Sequence, residues 1–202
     1  MAPLIISPTR PDAVTSPTLK RIPGEAGTWV FIGGDLLMFA IYFVYFIVER
    51  SNSPAEFDSA RRTLHIGIGL TNTMVLLASS LCVLIAVGSI RARAGSIGTV
   101  ATASALGCGL TFIALKVVEY SALIDAGHAP RANRFYLAYF ILTGIHLLHV
   151  VLGTVVLVFL MTQTRRAELS TTRMKVVEGG ACFWHLVDLL WLMLFSLLYL
   201  AS

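Results

Sequence analysis

The stretch FWHLVDLLWLMLF, Phe183 to Phe195, places His185 and Asp188 three residues apart in a run that otherwise reads like membrane hydrocarbon. Side chains three or four apart share one face of a helix, so these two groups look the same way. A charge at mid-membrane costs about 2.5 to 3.5 kcal/mol on insertion scales, so such groups turn toward a helix bundle and find partners there. Asp35, Lys116, Glu119, His146 and His149 pose the same problem, with Asn72, Ser79, Ser80 and Thr143 as uncharged companions. Helical spacing sorts most of them into three stripes: Lys116, Glu119 and Tyr120; Thr143, His146, His149 and Gly153; His185, Asp188 and Trp191. Counted along their spans, Asp35, His149, His185 and Asp188 fall at depths where they can meet. His149 or Asp35 is then the expected partner of His185 and Asp188. Lys116 is expected to pair with Glu119 through one helical turn.

Four kinds of chemistry compete for the histidines. A bis-histidine haem needs one ligand from each of two facing helices, whereas His146 and His149 lie on the same one. A zinc or copper site built from His146, His149, His185 and Asp188 has suitable ligand types, but spacing alone fixes no distances. A hydrogen-bonded or ion-paired structural network is the plainer reading. Proton conduction also uses carboxylates and histidines near mid-membrane. No metal centre is expected in this chain.

The elements that must carry these residues follow from composition. The chain has 202 residues, of which 56% are hydrophobic and 13% charged, and its mean hydropathy is +0.80. A soluble domain carries about 25% charged residues. Five apolar segments, Thr28 to Val48, Ile66 to Ile90, Gly98 to Ile124, Tyr136 to Met161 and Val176 to Ala201, are each long enough to cross a bilayer as a helix. The expected fold is therefore all-α, an integral membrane bundle of five transmembrane helices joined by short loops, with no room for a soluble catalytic domain. Residues 1–23 hold five of the seven prolines and read as a flexible tail, leaving 24–202 as the membrane domain. A signal peptide is disfavoured there, because Leu4 to Ile6 is too short an apolar run and no basic residue precedes it.

Arg10, Lys20, Arg21, Arg91, Arg93, Arg165, Arg166, Arg173 and Lys175 fall on the side of the N-terminus, against Arg50, Arg61, Arg62, Arg131 and Arg134 on the other. That bias predicts a cytoplasmic N-terminus and an outer C-terminus. The formal charge of +4 is then an orientation signal and an attraction to anionic lipid, and nucleic acid is not an expected partner. Cys82, Cys108 and Cys182 stand alone on separate spans and read as small core residues. No phosphate loop, nucleophile elbow or HExxH motif is present. Ala78, Cys82 and Ala86, then Ala101, Ala105 and Gly109, recur every four residues and suit close helix packing. Trp29, Tyr136 and Tyr199 at span ends read as interfacial anchors.

Four ordered motifs resemble subunit III of the haem-copper oxidases, the cytochrome c oxidase type. FWHLVDLLWL at Phe183 to Leu192 is similar to that family's YWHFVDVVWL, and FYLAYFILTGIHLLHVVLG at Phe135 to Gly153 to its FxxATGFHGLHVxxG. NTMVLLASS at Asn72 to Ser80 and the pair Glu119 and Tyr120 complete the set. The resemblance runs from about Gly24 to the C-terminus and is to the five-helix form of the family, whose topology agrees with the Lys and Arg bias. Two departures stand out. Asp35 occupies the place of the family's buried Glu, and the loop ERSNSPAEFDSARR lacks its WPP. Together with PGEAGTWVF before the first span, they look like the divergent subunit-III-like protein that accompanies nitric oxide reductases.

The resemblance implies an accessory, non-redox subunit with no catalytic centre of its own. It would bind the catalytic subunit I and other subunits of a respiratory oxidase in a prokaryotic plasma membrane. It would hold phospholipid, while haem and copper sit in the partner, and it would support proton uptake and the durability of the active site during aerobic electron transport. Asp35, Glu119, His146, His149, His185 and Asp188 are the residues expected to form the proton-related or structural polar network. The other readings are a nitric oxide reductase accessory protein and a stand-alone membrane transporter or helper.

Overall fold

The computed structural model describes residues 26–166 and 170–200, so the Pro-rich segment 1–23 lies outside the described residues. The described chain is entirely helical: α1 (Ala26–Asn52), α2 (Pro54–Arg61), α3 (Ile66–Arg91), α4 (Gly95–Asp125), α5 (Arg134–Thr164) and α6 (Thr171–Phe195), followed by a π-helical turn at Ser196–Leu200. Five of these elements are long and apolar enough to cross a membrane, the last running through Leu200. This is the expected membrane bundle, with each span extended by a turn or less at most ends because terminal Thr, Asn and Arg residues remain good enough helix formers.

Short connections make successive spans antiparallel. The turn between α3 and α4 is the tightest, and these two helices share the most extensive contact. There Arg93 adopts φ 58°, while Ala94 N–H donates to the Ser89 carbonyl at 2.9 Å, closing α3 with a left-handed residue. Gly127, at φ 83°, closes α4 the same way with the conformational freedom that arginine lacks. Asn133 and Ser170 cap α5 and α6 by accepting backbone N–H groups at 2.9 and 3.3 Å.

α2 was not expected. Pro54 at its first turn pre-sets the helical φ. Its apolar side chain Phe57 then inserts between Phe46 of α1 and Phe135 of α5, with ring centroids 5.3 and 5.5 Å away. Arg134 ties the same end together, its guanidinium to Glu49 and its N–H to Glu56, both at 3.1 Å.

The core lies among α3, α4, α5 and α6, filled by Trp184, Trp191, Tyr139, Tyr199 and Phe112. On α4 the small residues Ala101, Ala105 and Gly109 are buried as expected. On α3 the buried stripe instead runs through Asn72, Leu76, Ser79 and Val83 to Ala86, leaving Ala78 exposed. α1 is the loosest span. Its buried hydrophobic residues are Ile32, Phe39 and Phe46, a strict seven-residue spacing that makes one narrow seam. Val30, Leu37, Ile41 and Val44 stay more than half exposed, facing whatever surrounds the bundle.

Candidate functional site

The sequence groups the intramembrane polar residues by helix; the fold regroups them into separate sites. The first lies between α1 and α5, where Asp35 Oδ1 meets His149 Nε2 at 3.4 Å, with both side chains largely buried. His149 Nδ1 is 2.8 Å from the Ile145 carbonyl, which can only accept, so Nδ1 carries a hydrogen. Nε2 is therefore a lone pair in the neutral ring. Nε2 faces the Asp35 carboxyl, so the pair sets an ionisable imidazole against an ionisable carboxyl group at the edge of the core. Phe39 packs edge-on to the imidazole at 5.5 Å and holds its plane.

The second site joins α3 and α6. His185 Nδ1 lies 2.5 Å from Ser80 Oγ, so its partner is the serine of NTMVLLASS, and neither Asp35 nor His149. Asp188 is buried one turn further along with the same Ser80 hydroxyl beside its carboxylate, although no hydrogen bond of good geometry closes on either oxygen. The expected cross-helix link from His185 and Asp188 to His149 or Asp35 is therefore corrected: α6 is rotated so that this face meets α3 rather than α1. An amide keeps an acceptor oxygen for the Ser80 hydroxyl, so Asp188→Asn is expected to change the stability of the isolated chain by under about 1 kcal/mol. A detergent melting curve checks this, and a loss of several kcal/mol would restore the paired reading.

His146 is fully buried with both ring nitrogens unpartnered among the described residues. It sits between Phe112 and Trp191, with centroids 5.6 and 5.3 Å away. Although on the same helix as His149, it faces the bundle centre while His149 faces α1. Among the described residues no group of three His, Cys, Asp or Glu side chains is placed to hold a metal ion. The fold thus separates the residues that the zinc or copper alternative would have to gather.

The third site is the most densely partnered. Lys116 Nζ, fully buried, donates to Glu119 Oε2 at 2.8 Å and to the hydroxyls of Tyr139 and Tyr199 at 3.2 Å each. Tyr199 donates in turn to Glu119 Oε1 at 2.5 Å. The ammonium also lies 4.6 Å from the Trp191 ring centroid and 5.2 Å from that of Tyr139, within cation–π range. Tyr120 is 2.7 Å from Thr143, extending the cluster toward α5. The Lys116 and Glu119 pairing follows the expected helical spacing. Tyr199 was missed because it reads as a span-end anchor at the interface, and Tyr139 because nothing in its spacing singled it out. Here Tyr199 and Tyr136 are buried, the latter with its hydroxyl 2.8 Å from that of Thr63 and its ring stacked on His128. The usable signal was Glu119 itself, whose second oxygen needs a donor from another helix.

Residues 24–202 match the family model described as Cytochrome c oxidase subunit III. The chain is 29% identical over 176 residues to cytochrome bo(3) ubiquinol oxidase subunit 3 of Pseudomonas putida, covering 86% of this chain and 84% of that one. It is 26% identical over 175 residues to the protein of the same name from Buchnera aphidicola, at 86% and 84% coverage. Cytochrome c oxidase subunit 3 of Alkalihalophilus pseudofirmus is 23% identical over 194 residues, covering 96% of this chain and 92% of that one.

Proposed function

The chain belongs to the cytochrome c oxidase subunit III family, and on that premise we propose that it binds the catalytic subunit I, retains phospholipid, and supports proton uptake and the durability of the partner's active site. It is an accessory subunit III of a haem-copper oxidase and a multi-pass membrane protein. The match across 24–202 is the observation that carries the reading. We further assign it to a bacterial plasma membrane with its N-terminus cytoplasmic, on the Lys and Arg bias. Haem and copper supply the redox chemistry from the partner; this chain's own residues brace helices and hold protons.

The loose α1 supports the lipid part of the proposal. A groove of about 630 Å³ lies between α1, α5 and α6, lined by Phe31, Val155, Phe159 and Phe183 with Lys175 at its end. An acyl chain suits its walls, and the Lys175 ammonium suits an anionic headgroup at the membrane surface.

Purification from native membranes with identification of co-purifying chains and a reduced-minus-oxidised spectrum tests the assignment. An oxidase subunit I with its haem spectrum is expected, and a colourless, partnerless chain would overturn it. One observation favours a second reading, a nitric-oxide-reducing partner: Asp35 in place of a buried Glu, together with the 49–62 segment that lacks WPP and forms α2. Co-purification of a nitric oxide reductase would select that reading.

The proton role rests on Asp35. In Asp35→Asn the amide can still donate to His149 Nε2, so assembly is expected to be intact. The exchangeable proton is gone, so turnover or catalytic lifetime of the complex is expected to fall by a factor of about 2 to 10. Unchanged turnover and lifetime would remove Asp35 from proton uptake.

A further inference from the structure

The last span, α6 with its π-helical turn, is the most buried of the five, and what it leaves open is mainly one narrow stripe. Glu178, Cys182, His185, Leu189, Leu192 and Ser196 form it in alternating steps of four and three residues, each half-buried or exposed. Such a stripe is the seam that one helix offers to another. Its Leu189 to Ser196 half lines a groove of about 530 Å³, walled on the other side by Phe43 and Ile47 of α1. At the opposite end Glu178 accepts from Arg91 of α3 at 2.9 Å.

One residue of the stripe does not suit hydrocarbon. His185 stands near the middle of its span, about 20 Å from either end at 1.5 Å per residue. Ser80 Oγ, itself near the middle of α3, lies 2.5 Å from Nδ1 and fixes the ring. Nε2 has no hydrogen-bond partner among the described residues. Nor is it sealed in the core, as both nitrogens of His146 are. His185 is half-buried, so Nε2 opens at the surface of the bundle. His149 differs again, since Asp35 and the Ile145 carbonyl occupy its two nitrogens. Of these three histidines, His185 alone presents an unanswered nitrogen outward.

Whether Nε2 is an N–H or a lone pair, lipid tails offer it nothing, and headgroups lie at the membrane surface, out of reach. What covers it has to bring a hydrogen-bonding group to mid-membrane, which a protein span does. We infer that this stripe seats a transmembrane helix of the partner subunit, and that a hydroxyl or carboxamide of that helix meets His185 Nε2. Either group both donates and accepts, so it fits either tautomer of the ring. Leu189, Leu192 and the groove beside them take the apolar side chains of the incoming helix. Nε2 sets its register, as a single polar residue does in an apolar helix seam. This assignment rests on the reading of the chain as an accessory subunit, which names a partner and leaves its face open.

Photocrosslinking of the full-length chain in its native membranes tests the face. Leu189→p-benzoylphenylalanine is expected to capture a membrane-spanning chain of the same complex, identified by mass, several-fold more than the same probe at Val117 of α4 or Leu148 of α5. All three positions are exposed, so the probe disturbs no core contact. A second measurement tests the bond. His185→Asn keeps a polar group where Nδ1 meets Ser80 and removes the one at Nε2, whereas His185→Gln keeps one at Nε2. In a detergent titration the asparagine variant is expected to associate with the complex about tenfold more weakly than the natural chain, and the glutamine variant to lose much less. A purely structural imidazole would give the reverse order, since only asparagine retains the Ser80 contact. A partner that copurifies with the natural chain, yet is captured equally from the other two positions, leaves the accessory reading standing and overturns this face. Capture of a second copy of this chain, or of lipid alone, overturns it as well, and so does an asparagine variant retained as well as the natural chain. A natural chain with no partner at all removes the accessory reading and this assignment with it.

Discussion

Glu119→Ala is expected to destabilise the chain by about 3 to 5 kcal/mol, because it strands a fully buried ammonium. Lys116 would keep its hydroxyl contacts to Tyr139 and Tyr199 and its ring contact to Trp191, but neutral acceptors and a π face do not replace a carboxylate at 2.8 Å. Tyr199 would also lose the acceptor of its 2.5 Å bond. The companion variant Lys116→Met, Glu119→Leu removes both charges together and is expected to recover most of the loss, since apolar residues of similar volume often replace a buried ion pair at little cost. Tyr199→Phe should lie between, at about 1 to 3 kcal/mol. Unfolding of the purified protein in detergent, by heat or by denaturing surfactant, ranks the variants. A single mutant as stable as the natural chain, or a double mutant no better than the single, would show that the cluster is not the brace described here. That brace links α4, α5 and the C-terminal turn, so its loss should also shorten the working life of the assembled complex.

Gly153→Val is expected to cost about 3 kcal/mol or more, by steric conflict rather than by charge. A Cβ at Gly153 would stand 2.6 and 2.7 Å from the Trp184 ring, closer than packed atoms approach. The ring is fully buried, and on its other side it lies against Gly109, where an added Cβ would be 3.1 Å away. It has nowhere to go, so α5 and α6 must part. Gly144→Ala on the same helix is the control. No atom lies within 4 Å of its added Cβ, and the change should shift stability by no more than about 1 kcal/mol. Trp184→Leu placed behind Gly153→Val should restore part of the loss by vacating the space. Equal melting temperatures for the position 144 and 153 variants would mean that the two helices are not held this closely.

Both results concern contacts between helices, and there the reading from sequence and the folded structure divide. The five spans were legible because apolar length is a local property, read without knowing any neighbour. The Lys116 and Glu119 pair was legible because three residues along a helix determine which side chains touch. The resemblance to subunit III was carried by ordered motifs and agrees with the family match. α2 announced itself only faintly, through Pro54 at a first turn, in a segment too short for its periodicity to stand out.

What helical spacing could not supply is the rotation and axial offset of one helix against another. Asp35 with His149, His185 with Ser80, and Tyr199 with Glu119 are consequences of those two quantities. So are the separation of His146 from His149 and the burial of Tyr136 and Tyr199 at span ends that otherwise favour the interface. Sequence by itself determined which residues lie one turn apart on a helix, because that depends on 3.6 residues per turn. Only the tertiary structure decided which faces meet, because that depends on how Trp184 fits against Gly153 and Gly109 and how the large rings beside it pack.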